Sequence, residues 1–188
     1  MASRSVLSRI LRMVLSLVFQ ALVMEPCGAQ DLSILSDFGN PDMVTNSSLV
    51  IQNGTSNSAQ ISQTVDSGGS TGHYAEINQQ GSDNQGFIEQ SGDLNRARIS
   101  QDGSGNKANA IQTGFSNFMD ISQTGYGNSL YATQTGMGNS MVLSQAGSAT
   151  ANLVEIGNNN TIHASQGAGG VINIRLEGNG MTVTAHQN

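Results

Sequence analysis

Small or apolar side chains alternate with polar ones in short segments of this chain, as in Ala97, Ile99 and Gln101, Met119, Ile121 and Gln123, and Met141, Leu143 and Gln145. Alternation with a period of two places these residues on one face of a β-strand. The segments themselves recur. Gln stands at Gln79, Gln90, Gln101, Gln112, Gln123, Gln134 and Gln145, an unbroken period of 11. Gly follows two residues later at Gly81, Gly92, Gly103, Gly114, Gly125, Gly136 and Gly147. Asn follows five residues later at Asn84, Asn95, Asn106, Asn117, Asn128 and Asn139, with Thr150 breaking the rule. A strict internal repeat of this kind outranks every other local signal.

A period of 11 also suits three helical turns. Composition rejects that reading, because each unit carries a Gly, costing about 1 kcal/mol in a helix interior, and a turn-favouring Asn. Each unit is instead one strand and one bend, with Gly supplying a positive φ and Asn expected in the left-handed region. Two units, 22 residues, return the chain to its start one strand spacing higher, about 4.8 Å along the axis. The expected fold is all-β: a flattened two-sheet β-solenoid of cross-β character with about 13 strand-turn units. Gln79, Gln101, Gln123 and Gln145 should stack in one sheet, and Gln90, Gln112 and Gln134 in the other. Stacked amides can donate to one neighbour and accept from the next. A buried amide without such partners would cost roughly 1–3 kcal/mol, so the ladder must be continuous.

The repeat starts before the regular block, with Gln52 and Gly54, then Asn57 and Gln63. The step from Gln63 to Gln79 is 16 residues, which places a five-residue insertion, Ser67 to Thr71, in a bend. Beyond Gln145 the pattern drifts, and counting on puts Ile156, Gln166, Leu176 and Gln187 at the Gln position. Ile156 and Leu176 should then interrupt the amide ladders. Upstream, Arg4, Arg9 and Arg12 precede an apolar run, Met13 to Met24, and the small residues of Cys27-Gly28-Ala29. This reads as a secretory signal over residues 1–29 rather than a membrane anchor, since the run is too short to span a bilayer. Residues 30–45 form a flexible leader, and 46–187 the repeat region. Nothing in the sequence marks a cap at either end of the solenoid.

Charge and composition narrow the function. Removing residues 1–29 takes Arg4, Arg9, Arg12 and Glu25 from 7 basic and 13 acidic residues, leaving an acidic chain without cysteine. That argues against nucleic acid as a partner, and Arg96, Arg98 and Lys107 form at most a small solvated patch. With 4% aromatics and no Trp, an ordinary apolar core is out of reach, so order must come from repetition. Asp83, Asp93, Asp102 and Asp120 have no common spacing, and Ser has no paired His and Asp, so no enzyme is expected. His73, His163 and His186 are isolated and should be solvated surface, leaving no metal or cofactor site. A monomeric ligand-binding solenoid is the alternative, but Thr113, Thr124 and Thr135 occur singly and should fall on alternating sheets.

The unit Gln-x-Gly-x-x-Asn-x-φ-x-φ-x-Gln resembles that of the curlins, secreted bacterial proteins that polymerise into curli, the amyloid fibres of the biofilm matrix. The resemblance covers residues 46–187 and makes Gln52, Gln63, the seven Gln from Gln79 to Gln145, Gln166 and Gln187 ladder positions. It implies self-association and pairing with other curlin subunits, export through an outer-membrane pore with accessory factors, and an extracellular cell-surface fibre acting in adhesion. It implies no small-molecule substrate. The family has a major and a minor, nucleating subunit. Gly54 to Gln63 and Asn95-Arg96-Ala97-Arg98-Ile99-Ser100-Gln101 are closest to the nucleator, whereas a C-terminal end with Arg175 as its one basic residue departs from it.

Overall fold

The computed structural model describes residues 18–19, 30–33, 46–66 and 71–188. Every regular element among them is a strand. In chain order these are β1 (Val18–Phe19), β2 (Gln30–Ser33), β3 (Ser47–Thr55), β4 (Ser58–Val65), β5 (Tyr74–Ser82), β6 (Gln85–Asp93), β7 (Arg96–Ser104) and β8 (Lys107–Phe115). They continue as β9 (Phe118–Tyr126), β10 (Ser129–Met137), β11 (Ser140–Ala146), β12 (Thr150–Asn158), β13 (Thr161–Gln166), β14 (Val171–Asn179) and β15 (Thr182–Gln187). The expected export signal and leader fall mostly outside the described residues, as do residues 67–70 of the expected insertion.

Strands β3 to β15 alternate between two parallel sheets, one ordered β4-β6-β8-β10-β12-β14 and the other β3-β5-β7-β9-β11-β13-β15. We call them sheets A and B. The expected two-sheet solenoid is the fold, because a bend every 11 residues reverses the chain and each strand pairs with the one two units on. Register follows the repeat: Gln90 pairs with Gln112, and Gln112 with Gln134. At the N-terminal end Gln52 pairs with Gln79 and Gln63 with Gln90, five residues beyond the normal step, so the extra residues are absorbed between β4 and β5.

Inward positions of both sheets meet in one narrow core in which Ile77, Ile88, Ile99, Met119, Ile121, Met141, Leu143, Leu153 and Ile162 are fully buried. Each buried Ile, Leu or Met side chain contributes about 1.5–3 kcal/mol. Size is complementary across the gap. Gly86 faces Ile77, and a Cβ there would come 3.0 Å from the Ile77 Cγ2 atom. The bends require Gly for a second reason. Gly103 has φ of 124°, and a Cβ on it would sit 1.9 Å from the backbone oxygen of Gly125 one rung on. Only a missing side chain allows rungs to stack there.

Candidate functional site

The distinctive chemistry lies inside, where amides stack along the axis. In sheet B, Gln52 Nε2 donates to Gln79 Oε1 at 2.6 Å, Gln79 to Gln101 at 2.8 Å, Gln101 to Gln123 at 2.8 Å, Gln123 to Gln145 at 2.8 Å and Gln145 to Gln166 at 2.9 Å. In sheet A, Gln63 donates to Gln90 at 2.9 Å, Gln90 to Gln112 at 2.8 Å and Gln112 to Gln134 at 2.9 Å. A second N–H of the same amide reaches across the core to a backbone carbonyl, as from Gln90 to Tyr74 and from Gln112 to Arg96. A carbonyl at that place accepts only from nitrogen, so it fixes which way each amide points. Every rung therefore donates toward the C-terminal rung.

The Asn residues do something the sequence reading missed. Asn84, Asn95, Asn106, Asn117, Asn128 and Asn139 are buried, and the left-handed residue is the one before: Asp83, Leu94, Gly105, Ser116, Gly127 and Gly138 have φ between 55° and 67°. Each Asn instead ties bends together. Asn117 Oδ1 accepts from the backbone N–H of Asn139, while Asn117 Nδ2 donates to the Gly136 carbonyl. Asn57 begins one such column, its Oδ1 accepting from the Asn84 N–H. The positive φ falls instead on Gly54, Gly81, Gly92, Gly103, Gly114, Gly125, Gly136 and Gly147, and on the residue before Asn. Gly at 105, 127 and 138 was the available signal.

His73 is buried in one of these Asn columns, not solvated as expected. Its Nδ1 accepts from the Asn95 N–H at 3.2 Å and its Nε2 lies 3.0 Å from the Thr64 carbonyl. Only the neutral ring with its proton on Nε2 satisfies both. The basic patch also separates. Arg98 pairs with Glu76 at 3.5 Å and Arg96 stacks 5.0 Å from the Tyr74 ring centre, both on sheet B, whereas Lys107 opens β8 in sheet A. The Tyr74 hydroxyl donates to Glu76, and that bond, with some burial, holds the phenol above its ordinary value.

Past Gln145 the stacking departs from the expected count. The residue stacked on Gln134 is Glu155, not Ile156, because the bend before β12 is one residue short and Ala149 takes the Asn position. Ile156 points outward beside Thr135. Glu155 is fully buried; its Oε2 accepts from Gln134 at 2.8 Å, and its Oε1 has no partner. Burial pushes this carboxyl above the ordinary carboxylate range, against the opposing pull of the Gln134 amide. Leu176 follows on the next rung and ends the ladder. In sheet B the Cα atoms of Gln166 and Gln187 are paired, but the Gln187 Oε1 has no donor.

The two ends differ in what pairs with their edge strands. β2 lies antiparallel along Leu49 to Gln52 of β3, and the two residues of β1 along Ile61 and Ser62 of β4, so the N-terminal edges of both sheets are covered in part. No described strand pairs with the outer edges of β14 and β15. Among the described residues no group of three or more His, Cys, Asp and Glu could hold a metal ion, and no helix is long and apolar enough to cross a membrane.

Comparison with known proteins bears on this interior directly. The family model of the curlin associated repeat matches residues 71–103, 81–114 and 114–147. Residues 71–147 are curlin repeats. Curlin repeats mark a structural, fibre-forming subunit of curli, and the ladder Gln and column Asn of β5 to β11 lie within the matched span. A search of curated proteins and a search of solved structures each returned no match.

Proposed function

We propose that this curlin is a secreted subunit of an extracellular curli-type fibre and acts as its minor, nucleating member, in biofilm matrix and cell adhesion. The observation that carries the reading is the pair of parallel, in-register sheets whose C-terminal strands, β14 and β15, have no described strand on their outer edges. Exposed strand edges pair with further strands. An incoming curlin that lays its first rung there finds backbone donors and acceptors in register, with Gln187 on β15 and Leu176 on β14 at the ladder positions. Growth at the opposite end requires β2 to leave β3. The leader, residues 30–45, serves export through an outer-membrane pore and its accessory factors before assembly.

Added in substoichiometric amount, the chain should shorten the lag of a second curlin in a dye-binding assay. An unchanged lag there, with fibres formed from the chain alone, would make it a bulk subunit; a soluble monomer after days would remove the fibre reading altogether. Gln52→Ala and Gln63→Ala, which strip the first rung of its amides, should slow assembly seeded at the N-terminal end.

A further inference from the structure

The outer face of sheet A carries a charge pattern that repeats of this kind do not require. Registered one above another on β6, β8, β10, β12 and β14 are Glu89, Ile111, Thr133, Val154 and Arg175. Beside that column, Asn109, Thr113, Tyr131, Thr135, Asn152 and Ile156 complete the central outward positions of β8, β10 and β12, and none is charged. Opposite charges thus stand two rungs above and two rungs below β10, around an uncharged centre with half-exposed Ile111 and Val154. Sheet B has no such arrangement. Its outer face alternates Glu76, Arg98 and Asp120 on successive rungs, with Arg98 already paired to Glu76.

We infer that the outer face of sheet A docks a second copy of itself, through a two-fold axis that runs along β10. That operation keeps each strand position and reverses the rung order. Thr133 then faces Thr133 of the other copy, Ile111 faces Val154, and Glu89 faces Arg175 twice. Arg175 also pairs with Glu177 on its own strand, an exposed contact that leaves the guanidinium free to bridge both carboxylates. Lys107, at the rim, meets only Thr150. The other face-to-face arrangement, with the axis along the fibre, keeps the rungs level and sets Glu89 against Glu89 and Arg175 against Arg175. Like charges select against it.

The size of the face decides where the pairing acts. The axis along β10 overlaps five strands, β6 to β14; at about 4.8 Å spacing and five residues of about 3.3 Å this gives roughly 400 Å² per copy, near 800 Å² in total and below the size of specific interfaces. Two isolated chains hold each other weakly. Subunits stacked in a fibre present the face repeatedly, so the pairing becomes multivalent and joins two antiparallel fibres side by side. The inference rests on the fibre reading for this effect.

Filament width in negative-stain electron microscopy is the test, with the full chain, Glu89→Arg, Arg175→Glu and the double variant. Each single variant should lower the fraction of paired filaments about tenfold, although the two change net charge in opposite directions, and the double variant should recover it. Unpaired wild-type filaments, or single variants that pair as the wild type does, overturn the inference. In a Cys27→Ser background, Thr133→Cys should cross-link between copies through a short bis-maleimide, and Ser122→Cys, outward on sheet B, should not; equal cross-linking overturns it. If the chain forms no fibres, the proposed function fails, and the cross-link in solution still decides the pairing.

Discussion

The two amide ladders began from the same repeat and end differently. In sheet B six Gln from Gln52 to Gln166 are joined without a gap; in sheet A four Gln from Gln63 to Gln134 lead onto Glu155 and then Leu176. An amide has both a donor and an acceptor and can be passed along indefinitely. A carboxyl accepts from Gln134 but, ionised, has nothing to give to the next rung. The difference teaches that the ladder depends on two-sided chemistry and not on polarity alone, and that a buried acid is tolerated only at its end.

The strongest way to break the comparison is to remove a link in the intact ladder. Gln123→Ala strands the Gln101 donor and the Gln145 acceptor, loses the bond to the Lys107 carbonyl and leaves a cavity. It should cost about 3–5 kcal/mol in a denaturation measurement. A loss below about 1 kcal/mol would mean that the ladder is decoration.

Next is Glu155→Gln, which gives sheet A the amide it lacks and should stabilise by about 1–3 kcal/mol at pH 7. Its pH dependence carries a definite sign. The folded-state value is raised, so below the unfolded value of about 4.3 both states are protonated and the full stability is present. As pH rises from there through the folded value, stability is lost. Glu155→Gln should therefore gain over the wild type at pH 7 and lose that advantage near pH 4; an equal gain at both would dissociate the effect from this carboxyl.

A smaller effect sharpens the point. Leu176→Gln alone places an acceptor beside a Glu155 that has no N–H to offer, whereas with Glu155→Gln it extends the ladder by a rung. The two substitutions should couple favourably by about 0.5–2 kcal/mol in a double-mutant cycle. Additivity would deny that the rungs communicate through their amides. Smallest of all, His73→Asn restores the column residue and should change stability by less than about 1 kcal/mol, measured by the denaturation midpoint.

The solenoid itself was legible because Gln, Gly and Asn recur at a fixed period while apolar residues alternate within it. What was not legible follows from local chemistry. Counting 11 residues on from Gln145 leads to Ile156; the bend before β12 is one residue short, which no periodicity announces, and the inward position falls on Glu155. His73 was lost for a similar reason. An imidazole can replace an Asn amide only if a carbonyl and an N–H are placed on its two nitrogens, and Thr64 and Asn95 come together only through the fold. The covering of β3 and β4 by β1 and β2 had no signal in the repeat, because those segments lie outside it.

The uniform direction of the Gln bonds has an electrical consequence. Each carboxamide is a small dipole, and when all of them point the same way their fields add along the axis instead of cancelling. Molecules joined head to tail would form a rod with an arrow built into it, one tip offering oxygen and the other hydrogen. Second-harmonic microscopy, blind to a non-polar bundle, could read that arrow in single filaments.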